Sequence, residues 1–581
     1  MYCRRAAVGL LAAILGAMLL AGCGSKTVDG PKPKYAVLRF ENLSGDSSKD
    51  WTGRAASEVL SRSLVIKGAV AGPVLPTGAI GRMGPNLGAR PAMAPGISSE
   101  RAAAMAAGAN RLITGYIENA GAGLRVTAVE EDAIGGTTLR TVSGTGATAV
   151  EALRAVSKGL AAESTAGLTG SEEALKNYAT GIEMPLASAG AWFEKAVGAD
   201  AKLGPAWVAL VAAYSGAGDR GGAEQAIARA RAVKLDARDL AALELEAANL
   251  LGNKQMRLAA LRKVMETSPG DLMLQRNLGG QEVQAGEFAK AAAIWKSMVE
   301  GNPRDIDGWN DLAYSRAYLG DRAGALLAIR QYVQLRPNEA NPLDSEADIH
   351  YLFKEYKEAA AGYEAAAVKQ PDALGGGEIY KAAWARFAAG DQVGAEKNFV
   401  AYAADQRKRG NASLPLLEAD WLYRTGRKAE GMEKLRQAAG NPELKSLYLA
   451  QLAVWLVMDG QRGKAAQLFT GQQLMNGPAV AAAFFVSRPS GSAAQWTGLA
   501  EKMFAAPGNA GFRDQTLAYA LILDGHKDAA LAVWTRVAEG SAATEFAVRA
   551  VLARLQGKPA GQPLIPNPLQ YNQFLGVLGL L

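Results

Sequence analysis

The sequence predicts a mainly α-helical protein, in which helical hairpins stack into a solenoid behind a small α/β domain. Three observations carry this prediction: prolines spaced 34 residues apart, small and aromatic residues that keep the same phase, and strand patterns confined to the region before residue 165. Only 7% of the 581 residues are aromatic and alanine is abundant, which favours closely packed helices over a β-sandwich.

Four prolines define the repeat. Pro303 stands 34 residues after Pro269 and 34 before Pro337, and Pro371 follows after another 34. A helix cannot continue through proline, so each one predicts the end of a structural unit. The slots before each proline also keep their phase: Gly286, Ala291 and Trp295; Gly320, Ala325 and Ile329; Lys354, Ala359 and Tyr363.

This pattern resembles the tetratricopeptide repeat (TPR), which reads W-x₂-L-G-x₂-Y, then G, then A-x₃-F, then P. Trp309 and Leu312 fill the early slots of residues 306–339, and Leu278 and Gly279 fill those of residues 272–305. The resemblance implies two antiparallel helices per unit, with the small residues at their contact. Because one hairpin cannot bury its apolar face, neighbouring hairpins must stack.

The repeats are expected to run from residue 170 to residue 557, as about nine to eleven hairpins. The phase slips by two residues after Pro371, returns, and is irregular between Gly477 and Gly511. The proline-rich tail, residues 558–581, ends in a short apolar segment. Two interpretations of the tail stay open, a cap on the last hairpin and a segment that docks on a partner.

Residues 34–165 predict the small α/β domain. An apolar strand over Tyr35–Phe40 precedes a helix that begins near Lys49 and a glycine- and proline-rich loop over residues 78–97. A short helix then leads into three strand-like runs, RLITGYIE, LRVTAVEED and TTLRTVSG, whose connecting turns suit hairpins. A last helix is expected from about Ala149 to Ala162.

The stretches YAVLRFENLSGD and AAGANRLITGYIENAGAGLRVTAVEEDAIGG resemble the TolB-like domain that precedes helical repeats in many bacterial proteins. Arg39 stands where such domains usually carry a proline. The resemblance implies a binding or assembly module rather than an enzyme.

The first residues resemble a bacterial lipoprotein signal. Arg4 and Arg5 precede an apolar run that is too short to span a bilayer and ends in the lipobox-like LAGC. The resemblance implies a signal peptide over residues 1–22, diacylglycerol on Cys23 and a lipidated tether over residues 23–33. Gly24 favours the outer membrane, with the protein facing the periplasm. A plain secretory signal with a chance cysteine is the alternative.

Signatures of chemistry are missing from the sequence. Phosphate-binding and nucleophile-elbow motifs do not occur, and Cys3, Cys23, His350 and His526 are the only cysteines and histidines. The net charge of +7 is spread thinly, without a basic run interleaved with aromatics. We therefore expect no enzyme, no cofactor, no metal and no nucleic acid.

The first helix of each hairpin is expected to line a concave face, with its slots 2, 5, 9 and 12 pointing inward. These positions, and a neighbouring tyrosine, nominate a partner-binding set: Met273, Arg276, Asp307, Asn310, Tyr314, Tyr318, Asp344, Asp348 and Tyr351. The alternative is that they form only a solvated inner surface.

The expected function is that of a non-catalytic, membrane-anchored scaffold that binds proteins of the cell envelope through its TPR superhelix. A ligand-sensing or regulatory subunit, in which the α/β domain binds a ligand and the repeats relay it, is the alternative. An enzyme is a third and weaker hypothesis.

Overall fold

The structure is a computed structural model that describes residues 33–64, 74–75, 77, 97–160, 168–267, 271–441, 444–470, 477–486, 492–505, 510–540 and 555–557. The expected signal peptide, Cys23, nearly all of the tether and the tail 558–581 lie outside these residues. No helix among the described residues combines the length and apolarity needed to cross a bilayer. The chain forms two compact units, Met1–Gln275 and Arg276–Leu581.

A six-stranded sheet forms the α/β domain of the first unit. Its strands are β1 (Tyr35–Val37), β2 (Glu41–Asn42), β3 (Val74–Leu75), β4 (Arg111–Ala120), β5 (Gly123–Asp132) and β6 (Thr137–Gly146). They follow the order β3-β1-β4-β5-β6, and β2 also pairs with β4. Strand β1 pairs parallel with β3 and β4, and β2 pairs parallel with β4. Strands β4, β5 and β6 are antiparallel neighbours. The two expected hairpins are confirmed.

Helices cover both faces of the sheet. They are α1 (Trp51–Leu64), α2 (Ile97–Ala106) and α3 (Ala149–Leu160). One core joins α1 and α3 to the sheet around Phe40, Leu60 and Leu153, each fully buried. A smaller core on the opposite face joins Ala103 and Ala104 of α2 to the strands.

The first unit continues into three helical hairpins. Their helices are α4 (Glu172–Glu183), α5 (Leu186–Ala199), α6 (Gly204–Gly216), α7 (Arg220–Arg231), α8 (Ala237–Leu251) and α9 (Lys254–Thr267). Leu175 and Ala179 of α4 belong to the core of the α/β domain, and Ala174 and Tyr178 of the same helix belong to the core of the hairpins. The two parts of this unit are therefore joined by one shared helix.

The following helices form the remaining hairpins: α10 (Leu272–Gln284), α11 (Phe288–Gly301), α12 (Ile306–Tyr318), α13 (Arg322–Leu335), α14 (Ala340–Leu352), α15 (Tyr356–Lys369), α16 (Gly377–Ala388), α17 (Gln392–Lys408), α18 (Leu414–Arg424), α19 (Lys428–Ala438), α20 (Lys445–Met458), α21 (Arg462–Gln467), α22 (Gly477–Val486), α23 (Ala493–Met503), α24 (Ala510–Leu523) and α25 (Lys527–Gly540). Taken two by two, the 22 described helices from α4 to α25 give eleven pairs. The TPR-type solenoid fold is confirmed.

The repeat slots have the packing that the sequence predicts. The small residues Ala291, Ala325 and Ala359 are all fully buried. A Cβ atom on Gly279 would lie 2.5 Å from the ring of Trp295, which is itself 2% exposed. The glycine therefore lets the first helix of the hairpin approach the indole of the second.

The glycine slot ends the first helix of most of the regular hairpins. Gly218, Gly252, Gly286 and Gly320 all have a left-handed backbone, with φ between 66° and 79°. Lys354 occupies the same slot one repeat later and keeps the conformation, with φ of 60°. The backbone around Lys354 donates to the carbonyls of Tyr351 and His350, which closes the helix end.

Replacing Lys354 by glycine is expected to stabilise the fold by about 1 kcal/mol, because a residue with a Cβ is strained in the left-handed region. Gly320→Ala is the matched opposite change and should destabilise by a similar amount. Urea unfolding of both variants measures the two effects. A loss of stability in Lys354→Gly would contradict the slot's backbone requirement.

The structure differs from the sequence prediction in three places. The strand expected over Tyr35–Phe40 is split, because Leu38–Phe40 separate β1 from β2, and α1 begins at Trp51 after a short 3₁₀ turn. The stretch after Gly477 lacks the repeat phase but contains α22 and α23, which bury Phe484 and Trp496 in a shared core. Helix α21 ends at Gln467 and is only six residues long, shorter than the second helix of a regular hairpin.

Candidate functional site

The nominated partner-binding residues lie on the first helices of successive hairpins. Met273 belongs to the first unit and is 40% exposed. The other residues belong to the second unit and form what is called here the first-helix row: Arg276 on α10; Asp307, Asn310, Tyr314 and Tyr318 on α12; and Asp344, Asp348 and Tyr351 on α14.

Arg276 connects two hairpins of the second unit. Its Nη2 atom donates to both carboxylate oxygens of Asp305, at 2.8 and 2.9 Å. Asp305 also caps α12, by accepting from the backbone N–H of Gly308 at 3.1 Å. The neighbouring Asp307 carboxylate lies 3.8 Å from the guanidinium, and its side chain is 81% exposed. Arg276 therefore has a structural role, whereas Asp307 is accessible.

Three aromatic contacts lie beside the polar part of the row. The ring centroids of Tyr318 and Phe288 are 5.0 Å apart, and those of Tyr318 and Tyr314 are 6.3 Å apart. The rings of Tyr351 and Tyr356 meet edge to face at 5.2 Å. Phe288, Tyr318, Tyr351 and Tyr356 are each half-buried, so part of every ring remains available for contact.

Asp344 and Asp348 are not solvated. Both are 5% exposed, and they share the ammonium group of Lys381, a residue of α16 that is 2% exposed. The Lys381 Nζ atom lies 2.7 Å from both oxygens of Asp344 and 2.7 Å from Asp348 Oδ1. The hydroxyls of Tyr314 and Tyr363 donate to Asp348 at 2.9 and 2.6 Å. These five residues form a buried network, called here the lysine network, that spans three hairpins.

Burial dominates the electrostatics of this region. Burial and the nearby Asp348 carboxylate raise the pKa of Tyr314 and Tyr363 well above the ordinary value. Burial also raises the pKa of Asp344, against the opposing effect of Lys381. The pKa of Asp311, on α12 near Arg276, is raised to about 6 by burial. Because their pKa is raised, Tyr314 and Tyr363 stay neutral at neutral pH and donate their hydroxyl hydrogens to Asp348.

Sequence reasoning nominated the carboxylates and missed their partners. Lys381 lies 37 residues after Asp344 and comes after the two-residue slip in phase, so the repeat frame did not place it. Tyr363 was assigned to the aromatic packing slot, which it occupies with full burial, and its hydroxyl bond to Asp348 carried no sequence signal.

A second candidate site lies in the first unit, where the α/β domain meets α4. A cleft with a volume of about 310 Å³ is lined by Ser48, Lys49, Trp51, Thr52, Leu124, Glu172, Glu173 and Lys176. The Lys49 ammonium donates to Asn119 Oδ1 at 3.1 Å. The lining combines charged groups of both signs with the largely buried Trp51, a combination that suits a small polar ligand.

Metal ligation has no support in the described part of the chain, where no three His, Cys, Asp or Glu side chains are grouped to hold an ion.

Comparison with known proteins gives structural likeness alone. No protein-family model matches this chain, and no curated protein matches it. Among solved structures, the chain is similar to the crystal structure of MamA protein, with 16% identity, 30% of this chain and 94% of that chain covered, and a TM-score of 0.27. It is also similar to YrrB, described as a TPR protein with an unusual peptide-binding site, with 20% identity, 26% and 78% coverage, and a TM-score of 0.22.

A longer overlap is found with the structure of Naa15/Naa10 bound to HypK-THB. It covers 70% of this chain and 68% of that chain, at 12% identity and a TM-score of 0.32. The assignment of the fold rests on the helical hairpins observed in this chain, not on these comparisons.

Proposed function

We propose that this protein is a non-catalytic scaffold of the bacterial cell envelope, anchored through lipid on Cys23 and facing the periplasm. It binds a protein partner through the first helices of its TPR hairpins. The observation that carries the proposal is a surface made by the accessible part of the first-helix row and the first residues of two second helices. It carries the exposed Asp307 and the half-buried aromatic pairs Phe288–Tyr318 and Tyr351–Tyr356.

The chemistry of these groups favours a particular partner. Aromatic rings that are partly exposed bind apolar side chains and cationic groups. Asp307 adds a negative charge that is only distantly neutralised by Arg276. We therefore propose a partner segment that carries lysine or arginine together with apolar residues. The buried lysine network holds the hairpins beneath this surface and does not itself contact the partner.

The test of the binding surface uses two residues outside the lysine network. Asp307→Lys combined with Tyr351→Ala changes one exposed and one half-buried side chain, whereas Arg276 and Tyr314 hold contacts between hairpins. Val393→Lys, on α17 and 85% exposed, is the control. The full chain, tagged at its carboxy terminus, is crosslinked in native membranes and captured. The partner should be lost from the double variant and kept by Val393→Lys; equal recovery from both would reject this surface.

The anchor is tested separately. Cys23→Ser should abolish labelling by radioactive palmitate and move the protein from the membrane fraction to the soluble periplasmic fraction. Continued labelling of Cys23→Ser would contradict lipidation at Cys23, and continued membrane association without labelling would show a second anchor; neither result affects the test of the binding surface.

A ligand-sensing subunit is the second candidate, and the cleft beside Trp51 favours it. Helix α4 contributes both to the core of the α/β domain and to the core of the hairpins. A ligand bound in this cleft would therefore act on the packing of the repeats through α4. A thermal-shift screen of the full chain with small polar metabolites tests it. A ligand whose effect disappears in Trp51→Ala, while partner capture depends on that ligand, would favour the sensor over the scaffold.

A further inference from the structure

The open edge of the sheet in the α/β domain is strand β6. Among the described strands, β6 pairs with β5 alone and ends the sheet. It is ten residues long, contains no proline and carries a single charge, Arg140, which is bonded to Glu130 at 2.5 Å. Long edge strands with few charges are templates for pairing with another strand.

The register identifies which backbone groups of β6 face outward. Ala120 and Gly123 flank a two-residue turn and so form a hydrogen-bonded pair, which directs the odd-numbered residues of β5 toward β4. The even-numbered residues of β5 then bond to even-numbered residues of β6 through pairs such as Val126↔Gly144. The backbone N–H and C=O groups of Thr141, Ser143 and Thr145 therefore point away from the sheet. All three residues are exposed.

Helix α3 crosses this edge in the opposite direction. A Cβ atom on Gly146 would lie 2.5 Å from Glu151 Cβ, and one on Gly144 would lie 2.7 Å from Ala155 Cβ. A Cβ atom on Gly159 would in turn lie 2.3 Å from Val142. Gly144 is thus placed beneath Ala155, which is close to the midpoint between the exposed residues Glu151 and Lys158. The Glu151 carboxylate also accepts from the backbone N–H of Ala147 at 2.9 Å, and the exposed Arg154 lies between the two charges.

We infer that β6 pairs antiparallel with β6 of a second copy of this chain, about a two-fold axis at Gly144. Ser143 then bonds to Thr145 of the second copy, and the two glycines face each other without side chains between them. Because α3 follows β6, the same axis brings Glu151 of each copy opposite Lys158 of the other. Arg140 meets no like charge in this register. The inference goes beyond the proposed function and does not depend on it.

The charge pair allows a test of pairing, in which Lys158→Glu, unlike Glu151→Lys, leaves the bond from the Ala147 N–H to the Glu151 carboxylate intact. Sedimentation of the full detergent-solubilised chain over a range of concentrations should show a dimer. Glu151→Lys and Lys158→Glu should each weaken it by at least about tenfold, because each places like charges in contact twice. An equal mixture of the two variants should restore the dimer, since each copy then offers the sign that the other lacks.

Ser143→Pro tests the backbone contact. It removes an outward N–H group without touching the bonds between β6 and β5, and it should abolish the dimer, while Ser143→Ala should not. Circular dichroism and thermal melting identify any variant that has failed to fold. If Ser143→Pro fails to fold, the mixture of charge variants still tests the dimer. A wild-type chain that stays monomeric at high concentration would overturn the inference. A crosslink from Thr141 to a strand of a different protein, with the chain itself monomeric, would also overturn it. Equal dimerisation of Ser143→Pro and Ser143→Ala would also overturn it.

Discussion

Replacing Lys381 by methionine is expected to destabilise the second unit by about 3–5 kcal/mol, among the largest effects of any single polar substitution in the chain. Methionine has a similar length and leaves little empty space, so the loss is electrostatic. The change leaves two carboxylates, each 5% exposed, without the ammonium group that they share. The measurement is the free energy of unfolding in urea, followed by tryptophan fluorescence.

The loss should also depend on pH. Burial already holds the pKa of Asp344 above its ordinary value while Lys381 acts against that rise. Without Lys381 the pKa of Asp344 rises further, so the folded state binds a proton more tightly than the unfolded state does. Stability from that proton is present below the unfolded pKa and is lost as pH rises through the folded pKa. The difference between wild type and Lys381→Met should therefore be smaller at pH 4 than at pH 7.

Lys434→Met is the control for this prediction. Lys434 also pairs with a carboxylate, that of Glu418 at 2.6 Å, but its side chain is 37% exposed. Removing it should change the free energy of unfolding by less than about 1 kcal/mol. If Lys381→Met cost no more than Lys434→Met, the lysine network would not hold the hairpins together.

Replacing Arg62 by methionine is expected to cost about 3 kcal/mol in the first unit, by the same mechanism. Arg62, on α1 of the α/β domain, donates to both oxygens of Asp239 at 2.6 Å and also pairs with Asp236. Asp239 lies in the third hairpin and is 6% exposed. The contact therefore joins the α/β domain to a hairpin 177 residues away along the chain.

Hydrogen exchange measures where this loss is felt. Exchange should rise in α1 and at the start of α8, as the two elements lose their shared contact. Arg220→Met is the matched control, because Arg220 pairs with Glu224 on the surface of α7, with side chains 63% and 52% exposed. An exchange pattern of Arg62→Met that resembles that of Arg220→Met would show that the α/β domain is not held to the hairpins through Arg62.

The local features of the fold could be predicted from the sequence because each depends on residues close together in the chain. A proline that ends a helix, a left-handed glycine such as Gly320, and a buried alanine such as Ala325 act within one hairpin. Their recurrence every 34 residues made the hairpins visible. The strands of the α/β domain were recognisable for the same reason, since their alternation and turns are local.

The candidate site could be predicted only in part. Asp307, Tyr318 and Tyr351 lie on the first helices and remain accessible or half-buried, as the repeat phase predicts. Asp344 and Asp348 occupy equivalent slots, yet they are buried, because Lys381 of the next hairpin reaches back to them. Their burial depends on how consecutive hairpins pack, which slot numbers do not specify.

By itself, therefore, the sequence determined the class of fold and most of the hairpin boundaries, and it nominated the first helices as the proposed binding side. Only the tertiary structure decided which polar residues of the first helices are buried in contacts between hairpins. It also decided that α4 belongs to two cores and that β6 ends the sheet. The physical reason is distance along the chain. Helix and turn signals arise from neighbouring residues, whereas a buried charge pair or an open strand edge depends on elements that meet only after folding.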